Sequence, residues 1–130
     1  RDARESWAFQ RVRNGEAGFI PVAVVPQRVT AALRTGPKTA ILSGETARKL
    51  DARRRADQPF DVLEDLEAAL PSAPARLDAP TRATVHFLSG ERTWRAGLKL
   101  TRAGELLITT LFPASPRQIR RFGDQGTGIE

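Results

Sequence analysis

The feature that most constrains the fold is the run from Thr84 to Thr110, in which apolar side chains recur at every second residue. This is the period of a β-strand and not that of a helix. The predicted apolar face consists of Val85, Phe87, Trp94, Ala96, Leu98, Leu100, Leu106 and Ile108. The opposite face carries His86, Arg95, Lys99 and Thr109. The run therefore predicts an antiparallel meander with one core face and one polar, basic face.

Two glycines set the predicted register of this meander. Gly90 suits the first central position of a tight turn, and Gly104 suits the left-handed position of a three-residue turn. The pairs that follow are Phe87 with Trp94, His86 with Arg95, Leu98 with Ile108, and Thr109 with Gly97. A slip of one residue would mix the two faces, so the hydrophobic pattern favours this register.

Upstream of Pro80 the pattern changes to short strands and helices. Apolar runs at 21–25 and 39–42 predict strands, and helices are expected near 26–35, 44–55 and 59–70. The third helix is the clearest, because its apolar residues follow the i, i+1, i+4, i+7, i+8 spacing of one helix face. The three prolines within 71–81 predict a linker before the meander.

Composition favours a single domain with affinity for polyanions. The 130 residues suffice for one modest core, and the absence of cysteine excludes disulfides, thiolate nucleophiles and cysteine-bound metals. Basic residues outnumber acidic ones by 21 to 15, and residues 59–75 contain acidic residues but no basic one. The excess charge predicts nucleic-acid binding. A merely soluble basic surface is the alternative, since Arg outnumbers Lys by 18 to 3.

Three regions are predicted along the chain. Residues 1–20 are interpreted as a linker or loosely docked arm, 21–122 as the domain itself, and 123–130 as a frayed polar tail. Because methionine is absent, Arg1 is not a natural start, and we expect a fragment of a longer polypeptide. No apolar run approaches the roughly 18 residues of a membrane-spanning helix, so no membrane segment is expected.

The polar face suits RNA cleavage without a metal. Such cleavage needs a base for the 2′-hydroxyl, cations for the pentacovalent phosphorane and an acid for the leaving oxygen. His86 is the candidate base, and Arg95 beside it should lower the pKa of its imidazole. Lys99 would add charge, Thr109 would contact phosphate or ribose, and Lys49 would complete the site from its helix. The alternative is a structural His on a solvated cationic face.

Further arginines extend the predicted RNA contact. We expect them to follow the RNA backbone from the second helix or to close the groove after Ser115, and they are Arg48, Arg53, Arg54, Arg55, Arg117, Arg120 and Arg121. The sequence contains no phosphate-binding loop, dinucleotide motif or zinc motif. Neither a metal nor a cofactor is therefore expected.

Three short motifs occur in order: LSGETARKL at 42–50, WRAGLK at 94–99 and GELLITTLF at 104–112. Together they resemble the phage-associated nuclease domains of the barnase–EndoU–colicin–RelE superfamily, over roughly residues 22–122. The resemblance implies an α+β domain of the barnase/RelE type, with N-terminal helices packed on a four-stranded antiparallel sheet. Ser43, Thr46 and Lys49 match the helix motif of that family, whereas Arg53 to Arg55 stand where it has a histidine.

The same resemblance implies a bacterial or phage toxin domain that cleaves tRNA or rRNA without a metal. It would act in the cytoplasm of a target cell, delivered as part of a larger or secreted protein. An acidic immunity or antitoxin protein would be its inhibitor. Two alternatives stay open: a noncatalytic nucleic-acid-binding or virion-structural module, and an ADP-ribosyltransferase-like toxin.

Overall fold

A computed structural model describes residues 18–46 and 59–130. Residues 44–46 form a helical turn. Five residues of the predicted site lie outside the described residues: Arg48, Lys49, Arg53, Arg54 and Arg55. The described elements are β1 (Phe19–Val25), α1 (Gln27–Ala32), β2 (Lys38–Ser43), α2 (Pro59–Ala69), β3 (Ala75–Ala79), β4 (Arg82–Ser89), β5 (Arg92–Leu100), β6 (Leu106–Pro113), α3 (Pro116–Arg120), a 3-10 turn (Phe122–Asp124) and β7 (Thr127–Ile129).

The described strands form one curled sheet in the order β1-β2-β6-β5-β4-β3-β7. Its neighbours are antiparallel except β2 and β6, which are parallel. The expected α+β architecture, with N-terminal helices on a four-stranded antiparallel sheet, is therefore wrong, because the molecule is mostly β. The N-terminal part adds β1 and β2 to the meander, and the buried Ala40 and Leu42 of β2 continue its apolar face.

The meander itself forms as predicted. Gly90 and Gly104 have the positive φ values, 64° and 86°, that the two turns require. The confirmed pairs are His86 with Arg95, Phe87 with Trp94, and Leu98 with Ile108. β6 is a central strand, paired with β5 on one side and β2 on the other.

A β-bulge in β6 breaks the predicted period. The register shifts between Gly97 and Leu98, so Gly97 pairs with Thr110 and Thr109 is the extra residue. The predicted pairing of Thr109 with Gly97 is therefore wrong. Beyond the bulge the faces exchange, so Leu111 pairs with Ala96 and is buried in the core.

Two strands lie where the composition predicted irregular chain. Residues 71–81, expected to be a linker, contain β3, and the tail expected to be frayed contains β7. β3 pairs with β4 on one side and with β7 on the other. Gly126 has φ 64° immediately before β7, and it turns the chain so that β7 pairs with β3.

Helices α1 and α2 cover the apolar face of the sheet. Their buried apolar side chains are Val29, Val62, Leu63 and Leu66, joined by Leu33 just after α1 and Leu70 just after α2. The guanidinium of Arg28 in α1 donates to the carbonyl oxygens of Leu70 (2.9 and 3.1 Å), Ala73 and Ile129 (3.2 Å). It thereby satisfies carbonyls that follow the end of α2 and ties β7 to the helices. Among the described helices, none has the length and apolar character needed to cross a membrane.

Candidate nucleic-acid interface

The polar face of the sheet is partly covered by the C-terminal segment around α3. The Ser115 hydroxyl accepts from the Gln118 amide (3.1 Å), and the Gln118 side-chain oxygen accepts from the Ser115 amide (2.9 Å). This capping box, with Pro116 at the first helical position, fixes where α3 begins. The helix and the turn after it thereby approach the cationic side chains of β3 and β5.

Phe122 holds this segment against the sheet by contacting His86 and Arg76. Its ring centroid lies 4.2 Å from that of His86, and the guanidinium of Arg76 lies 4.9 Å from it. Arg76 also donates to the carbonyl of Phe122 (3.1 Å) and to Asp78 (2.6 Å), and Asp78 accepts from the Thr84 hydroxyl (2.5 Å). The buried Arg76 thus joins the C-terminal segment to β3.

His86 is buried, with 5% of its surface exposed, although it lies on the polar face of the sheet. Burial, together with the nearby positive charges of Arg95 and Arg76, lowers the pKa of its imidazole to about 4. The ring is therefore neutral at pH 7. Its Nε2 atom is buried and has no hydrogen-bond partner among the described residues.

Arg95 is the strand neighbour of His86 and is itself half-buried. Burial lowers the pKa of its guanidinium, and so does Arg76, while Asp78 opposes the shift. A guanidinium remains protonated at neutral pH in any protein environment. The lowered pKa therefore indicates a cation that would be stabilised by an added anion.

Arg95 lines a cleft of about 260 Å³ between the sheet and the C-terminal segment. We call it the arginine cleft, and its walls are Arg76, Arg95, Arg117, Gln118, Arg121 and Gln125. Arg76 has Asp78 as its ion-pair partner, whereas the side chains of the other three arginines make no hydrogen bond or ion pair with the described chain. The cleft therefore holds more positive charge than the described carboxylates neutralise.

A second cavity, of about 480 Å³, has wall residues that are direct neighbours of those of the arginine cleft in the chain or across the sheet. We call it the apolar pocket, and its walls include Ala73, Pro74, Leu88, Thr93, Ile119 and Phe122, with His86 beside them. Leu88 is 71% and Ile119 is 44% exposed, so large apolar side chains lie in contact with solvent at this pocket. Ile119 follows Gln118 in the chain, and Phe122 follows Arg121, so the C-terminal segment contributes to both cavities.

Only part of the predicted site comes together. His86 and Arg95 are neighbours, and Arg117 and Arg121 line the cleft, as the predicted closure of the groove requires. Arg120 is exposed and is not among the cleft residues. Lys99 pairs with Arg82 and Leu107 on the far side of Gly97 from Arg95, and it does not line the cleft either.

Thr109 contacts the backbone of β5 in the described structure. Its hydroxyl donates to the carbonyl of Gly97 (3.3 Å). A Cβ atom placed on Gly97 would lie 2.5 Å from the Thr110 hydroxyl oxygen and 3.1 Å from that of Thr109. The space above Gly97 is therefore filled by the two threonines.

Sequence reasoning missed Arg76, Phe122 and Gln125 as parts of the site. The available signal was the alternation in ARLDA at 75–79, where apolar residues alternate with Arg76 and Asp78. That run is only five residues long and lies between Pro74 and Pro80, so the alternation was too short to indicate a strand. Nothing in the sequence indicated that Phe122 would return to cover His86.

Within the described part of the chain, no three His, Cys, Asp or Glu side chains cluster closely enough to hold a metal ion. Comparison with models of known protein families, with curated proteins and with solved structures found no match.

Proposed function

We propose that this domain binds RNA through phosphates in the arginine cleft and cleaves it there without a metal ion. The observation that carries the proposal is the arginine cleft, in which three of four arginines have no partner among the described residues, beside the neutral imidazole of His86. The Nε2 of that imidazole likewise has no partner in the described part of the chain. Arginine suits this role because its planar fork donates two hydrogen bonds to a phosphate.

The chemistry would be an internal transfer at phosphorus. The 2′-oxygen attacks the adjacent phosphorus and the bond to the 5′-oxygen breaks, which leaves a 2′,3′-cyclic phosphate and a free 5′-hydroxyl. Neutral His86 would accept the proton of the 2′-hydroxyl, and water would return a proton to the leaving 5′-oxygen. Arg95 and Arg76 would stabilise the charge that develops on the phosphorane.

A noncatalytic nucleic-acid-binding module is the second candidate, and a specific observation favours it. His86 is 5% exposed and Phe122 packs against its ring, so Phe122 would have to move before RNA reached Nε2. The arginine cleft needs no such movement in order to bind a phosphate. Binding and cleavage are therefore tested separately.

Binding is tested with the double variant Arg117→Gln/Arg121→Gln, and Arg120→Gln is the matched control. Arg120 lies in the same short helix but does not line the cleft. Loss of two charged contacts should weaken binding of a single-stranded RNA by about tenfold or more in fluorescence anisotropy. The control should bind as the unchanged protein does. Equal effects of the two changes would mean that the arginine cleft is not the binding site.

Cleavage is tested with an RNA oligomer and with the same oligomer carrying a 2′-deoxy residue at the scissile position. We expect a cyclic phosphate product from the first only, in the presence of EDTA, and a loss of about 10²–10⁴-fold in His86→Gln. Because the pKa of His86 is about 4, the rate should fall only as the pH approaches 4. Full binding without any product would favour the noncatalytic module. Binding of the 2′-deoxy oligomer shows that the variant is folded.

A further inference from the structure

We propose that the apolar pocket beside the arginine cleft binds one base of the RNA, so that phosphate and base are held in adjoining cavities. This inference rests on the proposed function, because it assumes that the phosphate of the same ligand lies in the arginine cleft. It adds a recognition element that phosphate contacts cannot supply, since phosphates are the same at every nucleotide.

The first argument is the chemistry of the pocket walls. An unstacked base has two apolar faces and a polar edge, and proteins bind such bases by stacking them on aromatic rings and bonding to the edge. Phe122 supplies an aromatic ring, and Leu88 and Ile119 supply apolar surface. The volume of about 480 Å³ falls within the range of about 300–1,000 Å³ that small-molecule pockets have.

The second argument is the buried imidazole of His86. His86 lines the pocket, its Nε2 has no partner within residues 18–46 and 59–130, and its ring is neutral at pH 7. A buried nitrogen without a partner is rare in folded proteins, and each case requires an explanation. If a base lies in the pocket, the 2′-hydroxyl of the same nucleotide would be beside His86 and would satisfy Nε2 once Phe122 moves aside, as the proposed cleavage requires. An aliphatic ligand would leave Nε2 unpaired.

The third argument is the position of the pocket relative to charge. His86 of the apolar pocket pairs with Arg95 of the arginine cleft on the neighbouring strand. Phe122 of the pocket directly follows Arg121 of the cleft in the chain, so wall residues of the two cavities are direct neighbours at two places. A ligand with a planar apolar part next to an anionic part matches this pairing of cavities. A nucleotide unit has that combination.

The test uses probes that occupy one cavity each. A nucleoside lacks phosphate and reports on the apolar pocket, while inorganic phosphate reports on the arginine cleft. His86 is the only histidine in the chain, so its imidazole resonances are unambiguous in an NMR spectrum. We expect adenosine or uridine to shift these resonances in a saturable way. Phosphate should shift the resonances of the arginine side chains in the cleft.

Ser72→Trp fills the pocket, and Ala68→Trp is the matched control. Ser72 lines the pocket, whereas Ala68 is exposed on α2 and does not. The first change should abolish the nucleoside shift and weaken RNA binding by about tenfold, to the level of an abasic oligomer. The control should change neither quantity.

The outcomes separate the two proposals. If no nucleoside moves the His86 resonances, or if Ser72→Trp and Ala68→Trp act alike, the base pocket is wrong even though RNA still binds. If nucleosides bind but neither RNA nor phosphate occupies the arginine cleft, the proposed function fails, and with it the claim that the two cavities hold one RNA nucleotide, although the apolar pocket then binds a nucleoside. A preference for RNA over the abasic oligomer that Ser72→Trp removes supports both.

Discussion

At the scale of single residues, His86 shows how a polar position of a strand becomes a buried one. The strand period correctly assigned it to the face opposite the core, beside Arg95. The period has no information about what covers that face, and Phe122, 36 residues later in the chain, covers it. Because Phe122 buries the ring near Arg95 and Arg76, the imidazole is neutral at pH 7. On a solvent-exposed face, burial would not have lowered its pKa.

The lowered pKa of His86 predicts a specific loss of stability in acid. The imidazole titrates near 6.5 in an unfolded chain and at about 4 in the fold, so the unfolded chain binds more protons between these values. The stability that depends on the neutral ring is present in full above pH 6.5 and is lost as the pH falls towards 4. The shift sets an upper bound of roughly 3–4 kcal/mol on this loss.

Chemical denaturation of the protein and of His86→Gln at pH 7, 5.5 and 4.5 measures this loss. Carboxylates titrate in both proteins, so the difference between the two curves isolates His86. We expect that difference to change between pH 6.5 and 4 and to be constant above pH 7. An NMR titration of His86 with a midpoint near 6.5 would contradict the prediction.

Gly97 is the second position where a single residue matters. An added Cβ would lie 2.5 Å from the Thr110 hydroxyl oxygen, closer than real contacts allow. Gly97→Ala should therefore lower the free energy of unfolding by about 1–3 kcal/mol. Gly97→Ala/Thr110→Ala removes that oxygen and should recover much of the loss, whereas Gly97→Ala/Thr110→Val keeps an atom of similar size and should not. Thermal melting of the three variants distinguishes these outcomes, and equal melting would exclude the steric explanation.

At the scale of elements, local chemistry made the meander predictable and long-range pairing did not. Gly90 and Gly104 fix two short turns, so the register of β4, β5 and β6 followed from residues close in sequence. The bulge at Thr109 was not predictable, because the alternation of apolar residues continues through Ile108 before it changes. The parallel pairing of β2 with β6 joins residues more than 60 positions apart and leaves no local pattern.

The edge strand β7 depends on a glycine turn, and this dependence yields a matched pair of variants. Gly126 has φ 64°, and a Cβ there would lie 2.5 Å from the Leu77 carbonyl oxygen, whereas a Cβ on Gly128 would meet nothing within 4 Å. Gly126→Ala should destabilise the pairing of β7 with β3 by about 1–3 kcal/mol, and Gly128→Ala should change it little.

Hydrogen exchange at the β7 amides measures this effect. Because Gln125 and Arg121 precede this turn and line the arginine cleft, Gly126→Ala should also weaken RNA binding in parallel. Retained protection of β7 in Gly126→Ala would show that the turn tolerates a side chain. Unchanged RNA binding with lost protection would show that the cleft forms without β7.

At the scale of the whole molecule, charge was easier to predict than architecture. The excess of basic residues correctly indicated a cationic surface, and Arg95, Arg117 and Arg121 concentrate it on one side of the sheet. The fold class was wrong because β3 and β7, which are five and three residues long, were not expected as strands, and because the pairing of β1 and β2 with the meander was not foreseen. Short strands carry few periods of alternation, so their sequences resemble loops.

The same segregation of charge predicts how RNA binding depends on salt. Each phosphate neutralised by the protein releases counterions, so the logarithm of the binding constant falls linearly with the logarithm of salt concentration, by about 0.7 per phosphate for a single strand. Arg117→Gln/Arg121→Gln should make that slope shallower by about 1.4, because two phosphate contacts are lost.

Arg102→Gln provides the control. It also removes a positive charge, but at an exposed turn between β5 and β6 that does not line the arginine cleft. Its slope should match that of the unchanged protein. Similar slopes for all three proteins would mean that the attraction comes from total charge and that no particular cleft holds the phosphates.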